Sequence, residues 1–201
     1  MSPLSDSTGY IAAPPSRLVA AVMELLSHTD TTAISLDMGC GNGGWLLLAA
    51  AAGFPSYGVE INPFLIDHCQ RNYELCVAAG FIDAATPCAF IVGDMIPVRF
   101  SSGYDVFRKT HEGSMPIGAV VEDAYARLPV SVATADIVYC WAWPTQSRFV
   151  YTMLNSEAKG TAYFVLPCYE SYVTGANVSA VVNTLVLGSF RTVEEVTVGR
   201  R

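Results

Sequence analysis

The stretch Asp37-Met38-Gly39-Cys40-Gly41-Asn42-Gly43-Gly44 constrains this chain more than any other. It follows a short apolar run, Ala33-Ile34-Ser35-Leu36, and opens into a helix-like run from Trp45 to Ala52. A strand, a glycine turn and a helix in that order make a cradle in which a ligand meets bare backbone. A second short strand ends in Gly58-Val59-Glu60, and a third, Phe90-Ile91-Val92, ends in Gly93-Asp94. An acid at the end of the second strand is placed to accept hydrogen bonds from neighbouring ribose hydroxyls. The glycine turn and the two acids together describe an adenosine-binding edge.

The rest of the chain repeats the alternation. Pro14-Pro15-Ser16 starts a helix whose Leu18, Val19, Val22, Leu25 and Leu26 recur at helical spacing. Strands are predicted at about 33–38, 56–60, 88–92, 136–140 and 161–166, with helices at about 43–52, 63–79 and 146–157. Pro63 suits a first helical turn, where its missing N–H is not needed. Two further strand-like runs, Asn183 to Phe190 and Val193 to Val198, read as a hairpin. The expected architecture is therefore α/β: a Rossmann-like, doubly wound, mostly parallel seven-stranded sheet closed by a C-terminal antiparallel hairpin.

With 201 residues, 52% of them hydrophobic and 14% charged, the chain suits a single domain over 1–201. Residues 1–30 form an N-terminal arm and helix. Residues 95–130, too long for an ordinary connection, form an insert or lid between strands three and four, with Gly118 to Arg127 as its candidate helix. The net charge of −7 disfavours broad binding to a phosphate backbone, so nucleic acid is not the expected partner. The six cysteines hold no Cys-x-x-Cys pair, and His28, His68 and His111 lie far apart, so reduced thiols and no metal are expected. Neither a basic-then-apolar leader nor a membrane-length apolar run is seen, and the reading is a soluble, cytoplasmic protein with no membrane partner. Its oligomeric state is left open.

Gly39-x-Gly41-x-x-Gly44 also satisfies the dinucleotide fingerprint, so the glycines alone do not name a cofactor. Three details favour another nucleotide: Asp37 ahead of the glycines, a whole helix ahead of the first strand, and Asp94 after the third. These features resemble the class I (seven-strand) S-adenosylmethionine-dependent methyltransferases. The resemblance covers residues 33–94 and the order of elements over most of the chain, and the expected hairpin is similar to that family's reversed last strand. It implies S-adenosylmethionine (SAM) as cofactor. Asp37 and the backbone of Gly39, Gly41 and Gly43 would hold the methionine end, and Glu60 the ribose. Ile61 would pack on the adenine, and Asp94 with Met95 would address its amino edge. The plainer roles stay open: a turn cap for Asp37, a solvated strand end for Glu60 and a helix cap for Asp94.

Methyl transfer needs an in-line approach of a nucleophile to the methyl group, and positioning supplies much of the acceleration. Substrates of such enzymes meet the segment after strand four, here Cys140-Trp141-Ala142-Trp143-Pro144. This departs from the Asn/Asp-Pro-Pro-aromatic pattern of many amine- and base-modifying members, and no catalytic residue is assigned. Trp141 and Trp143 are candidates to wall a flat or cationic acceptor, with core packing as the competing role. Tyr10, in Tyr10-Ile11-Ala12-Ala13-Pro14-Pro15, is a third pocket candidate. That run is similar in part to the start of some seven-strand protein lysine methyltransferases. A protein lysine or other amine is the first expectation for the acceptor. Alternatives are a small-molecule O- or N-methyltransferase, an inactive cofactor-binding subunit, and a nicotinamide enzyme.

Overall fold

A computed structural model describes residues 13–110, 123–142, 144–157, 162–167, 177–182 and 185–189. The elements follow as α1 (Pro15–Leu26), β1 (Ser35–Met38), α2 (Gly44–Ala51), β2 (Ser56–Glu60), α3 (Pro63–Ala78) and β3 (Cys88–Val92). After them come α4 (Val98–Thr110), a 3-10 turn (Ala124–Arg127), β4 (Ile137–Cys140), α5 (Pro144–Glu157), β5 (Tyr163–Pro167), β6 (Asn177–Val182) and β7 (Leu185–Ser189).

The strands form one sheet in the order β3-β2-β1-β4-β5-β7-β6. The five strands from β3 to β5 are mutually parallel. β7 pairs antiparallel with both β5 and β6, so it alone runs in reverse. β1 lies between β2 and β4, so chain order reverses beside it, which is where open α/β sheets leave a crevice at their carboxyl ends. The pairings Met38↔Val59, Met38↔Cys140 and Glu60↔Val92 bring the ends of β1, β2, β3 and β4 level along that edge.

Side-chain alternation divides the core between the two faces of the sheet. Leu36, Met38, Val138, Cys140 and Phe164 pack with Tyr104 of α4 and Val150, Met153 and Leu154 of α5. Ile137, Tyr139 and Val165 face the other way, onto Leu18, Val22 and Leu25 of α1 and Trp45 of α2. Leu46, Leu47, Cys69 and Ile82 extend that layer between α2 and α3. Trp45 stacks on Tyr139 at 4.6 Å, and its Nε1–H donates to Ser35 Oγ at 3.1 Å, which satisfies a buried hydroxyl on the same face.

Two expectations change. The helix after strand three is α4 at residues 98–110. At Gly118 to Arg127, residues 118–122 lie outside the described residues and the remainder holds a 3-10 turn. Within the 95–130 segment, residues 98–110 form the α4 helix, with Tyr104 buried and Phe100 and Phe107 packed on the core. The hairpin is formed by β6 and β7 at 177–182 and 185–189; β7 falls inside the expected 183–190 run, whereas 193–198 lies outside the described residues. β6 was missed because Asn177-Val178-Ser179-Ala180 is mixed in polarity, and its pairing also carries an irregularity between Val178 and Ala180. Among the described residues no helix is long and apolar enough to cross a membrane, and no cluster of His, Cys, Asp or Glu has the makings of a metal site. Cys40, Cys69, Cys76, Cys88 and Cys140 are free thiols.

Candidate cofactor site

The glycine turn leaves β1 and delivers the chain into α2. Gly39, Gly41 and Gly43 adopt left-handed φ of 82°, 55° and 91°, while Gly44 is already the first helical residue. The left-handed glycines therefore stand at alternate positions, whereas the third glycine of the Gly-x-Gly-x-x-Gly pattern, Gly44, is helical. Gly43 has a second reason to lack a side chain, since a Cβ there would lie 2.6 Å from Cys69 Sγ.

Four of the turn's N–H groups are bonded within the fold. Those of Gly39 and Cys40 donate to the Val59 carbonyl at 2.8 and 3.0 Å, and that of Gly43 to the Cys40 carbonyl at 2.8 Å. The Gly41 N–H donates to Glu60 Oε2 at 3.0 Å. Glu60 Oε1 accepts from Asn62 N–H at 2.8 Å, so the buried carboxylate ties the end of β2 to the glycine turn and to the start of α3. Asn62 in turn caps α3 by accepting from Phe64 N–H, with Pro63 as the first helical residue.

Asp37 is the most constrained acid. It projects from β1 toward α2, and its Oδ2 accepts from Leu46 N–H at 3.2 Å in the first turn of that helix. The capping role open to it in the sequence is thus real, but it uses one oxygen. Oδ1 is buried with no hydrogen-bond partner. Burial pushes the Asp37 carboxyl well above the usual carboxylate range, against the Leu46 hydrogen bond and with help from the nearby charge of Glu60. A buried acceptor without a donor costs stability, and such an atom invites an outside partner.

Asp94 follows β3, and its Oδ1 accepts from Ile96 N–H at 2.8 Å, turning the chain toward α4. Burial raises this carboxyl too, opposed by the Ile96 bond and assisted by Glu60. Met95 Sδ lies 3.5 Å from where a Cβ on Gly39 would stand, and 4.0 Å from Cys140 Sγ. Ile61, just past β2, is 49% exposed, an apolar side chain held at the edge with no covering. The structure thus brings Asp37, the glycines, Glu60, Ile61, Asp94 and Met95 to one edge of the sheet.

The pocket candidates fare differently. Trp141 is half-buried against the cluster on the α1 face, so packing occupies part of its ring. Trp143 and Tyr10 lie outside the described residues. Cys140 is fully buried and its thiol is raised by burial, which removes it as a nucleophile. Sequence reasoning missed Tyr125 and Arg127, whose side chains reach the loop that carries Asp94 and Met95. No local signal marks them, because their partners are some thirty residues away in the chain.

No protein-family model matches the sequence, and no curated protein matches it. Solved structures do. An RNA methyltransferase from Salinibacter ruber in complex with S-adenosyl-L-homocysteine superposes with a TM-score of 0.59, at 15% identity over 94% of this chain and 98% of that one. A magnesium protoporphyrin IX methyltransferase from Synechocystis PCC 6803 with bound SAM gives 0.55, at 15% identity over 87% of this chain and 78% of that one. This chain has the Rossmann-like α/β fold of the class I S-adenosylmethionine-dependent methyltransferases.

Proposed function

We propose that the protein binds SAM along the edge formed by β1, β2 and β3 and transfers its methyl group to an acceptor beyond β4. The observation that carries this reading is the buried, unpartnered Oδ1 of Asp37. A dinucleotide site offers free N–H groups at a helix N-terminus to a pyrophosphate. Here the Leu46 N–H is taken by Asp37, and the N–H groups of Gly39, Cys40, Gly41 and Gly43 are bonded within the fold. A second anion would meet the charge and the unpartnered oxygen of Asp37. A cation such as the ammonium of a methionine moiety would relieve both defects.

The residues fit the rest of the cofactor in the same way. Glu60 has lone pairs left for two ribose hydroxyls after accepting from Gly41 and Asn62. Exposed Ile61 offers an apolar surface for one adenine face, and Asp94 an acceptor for its amino group. The bound cofactor supplies an electrophilic methyl group on a sulfonium. The protein's part is to hold both reactants in line, to exclude water, and to neutralise the ammonium through Asp37.

For the acceptor we put forward an amine, a protein lysine among them. The net charge of −7 supports a basic acceptor over a nucleic acid, even though one similar structure is an RNA methyltransferase. Trp141 stands at the end of β4, where its exposed part would face the acceptor. The similarity to a porphyrin methyltransferase favours a second reading, a small-molecule acceptor.

Calorimetric titration with SAM, S-adenosylhomocysteine and NAD tests the cofactor, with Glu60→Ala alongside. One-site binding of the sulfur ligands, weakened in the variant, is expected. Binding of NAD in their place would redirect the reading to redox chemistry. Silence from folded protein toward all three would leave a scaffold.

A further inference from the structure

The loop from Val92 to Ile96 carries Asp94 and Met95, and a 3-10 turn remote in sequence grips it along its length. At one end, the Arg127 guanidinium donates to the Val92 carbonyl. At the other, the Tyr125 hydroxyl donates to the Met95 carbonyl at 2.7 Å. Between them, Ala124 lies so close to Gly93 that a Cβ there would stand 2.2 Å from the Ala124 methyl. From the opposite side, Gly93 N–H donates to the Glu60 carbonyl at 2.9 Å, so the loop is clasped between the ribose acid and the turn.

The turn is itself held by a cap and by the core. Asp123 caps it, accepting from Tyr125 N–H at 3.1 Å on Oδ1 and from Ala126 N–H at 3.1 Å on its carbonyl. Ala124 and Tyr125 belong to the main core cluster with Val130, Val132 and Ala135 of the following segment. Tyr125 is 6% exposed, and burial raises its hydroxyl well above the ordinary phenol value, so it stays a donor. A buried hydroxyl spent on a loop carbonyl, instead of on a neighbouring helix or strand, fixes that carbonyl's direction and with it the peptide plane between Met95 and Ile96.

We infer that the turn Ala124–Arg127 sets the adenine selectivity of the cofactor site, with Tyr125 and Arg127 as positioning residues that hold Asp94 and Met95. The inference rests on the SAM reading above. Adenine presents an amino donor where hypoxanthine presents a carbonyl oxygen, so an oriented carboxylate accepts from the first and repels the second. A loosened loop would lose that difference before it lost ribose or methionine binding, which depend on Glu60 and Asp37.

The test is calorimetric affinity for S-adenosylhomocysteine against S-inosylhomocysteine, with melting temperature followed for each variant. Wild type is expected to prefer the adenosyl compound. Tyr125→Phe keeps the ring and removes the hydroxyl. It and Arg127→Met should each weaken adenosyl binding about 3- to 10-fold, part of the value of the carboxylate–amino hydrogen bond they orient, and leave inosyl binding nearly unchanged. Gly93→Ala should do the same by forcing the turn away. Gly93 lies outside the left-handed region, and without the Ala124 methyl the nearest atom to its new Cβ is Val59 Cγ1 at 3.4 Å. Adding Ala124→Gly should therefore restore the preference, which mere loss of packing would not do. Wild-type binding with a preference unmoved by Tyr125→Phe and Arg127→Met would overturn this inference alone. Absence of any S-adenosylhomocysteine binding by folded wild type would overturn the SAM reading and this inference together.

Discussion

Glu60 and Gly41 are joined by a hydrogen bond of 3.0 Å from the Gly41 N–H to Oε2, so the acid that ends β2 also shapes the turn that ends β1. One side chain therefore sets the backbone of the glycine turn and offers its remaining lone pairs to a ligand.

Glu60→Gln follows from this pairing. A carboxamide keeps one acceptor oxygen and turns the other position into a donor, so either Gly41 or Asn62 loses its acceptor. Hydrogen bonds to a charged group are worth about 1.5–3 kcal/mol, so S-adenosylhomocysteine affinity should fall roughly 10- to 100-fold. The melting temperature of the free protein should fall with it. Calorimetric affinity within twofold of wild type would rule out the ribose role.

Asp37 couples stability to pH. Its folded pKa is raised above the 3.8 of a free carboxyl, so the folded state holds the proton more tightly. The stabilisation this group contributes is fully present below the unfolded value and is lost as pH rises through the folded pKa. Asp94 acts in the same direction. Free protein should lose stability as pH climbs from 3.8 through the raised pKa of Asp37, and Asp37→Asn should flatten that slope. The same variant should raise the melting temperature at neutral pH while weakening S-adenosylhomocysteine binding, the pattern of a group kept for function. Melting curves against pH, with and without ligand, measure both effects.

Adjacent glycines should respond oppositely. At Gly43, an alanine meets a φ of 91° and Cys69 Sγ at 2.6 Å, and strain of this kind costs about 1–3 kcal/mol. Cys69→Ala should recover only part of the steric cost, because Leu47 Cδ1 and Cγ also stand at 3.0 Å. At Gly44, which is helical, a new Cβ finds Leu18 Cδ1 at 3.4 Å, an ordinary contact. Gly44→Ala should therefore be neutral or stabilising by up to about 1 kcal/mol. Thermal denaturation of the two variants decides between the two spacings of the glycine motif.

Trp141 has a structural role that a pocket wall alone would lack. Trp141→Ala should lower the melting temperature, at a cost of about 1–3 kcal/mol for partial loss of its packing against the α1-face cluster. Trp141→Phe should recover most of that loss, and S-adenosylhomocysteine affinity should stay within twofold for both. An unchanged melting temperature in the alanine variant would mean that the ring does not support the core.

Much of this was readable locally. Ser56–Glu60 and Cys88–Val92 stand at the expected boundaries because short runs bounded by turn residues mark strands, buried in β2 and half-buried in β3 at the sheet edge. Pro63 announced α3 through its fixed φ and missing donor. α4 was not readable, because Val98 to Thr110 carries Ser101-Ser102-Gly103 in its middle, a sequence that propensity assigns to a turn. It is helical because Tyr104, Phe107 and Phe149 pack together against the sheet. Tertiary burial outweighed local preference there.

By itself, then, the sequence determined the alternation of strand, turn and helix, the glycine turn after β1, and the acids that end β2 and β3. Each depends on forces acting within a few residues: side-chain period, the φ that glycine alone tolerates, and capping. Only the tertiary structure decided that β7 inserts between β5 and β6, that one oxygen of Asp37 is left without a partner, and that Tyr125 and Arg127 grip the loop of Asp94. These depend on which distant segments meet, and apolar strands or polar side chains of similar composition are interchangeable until long-range pairing selects among them.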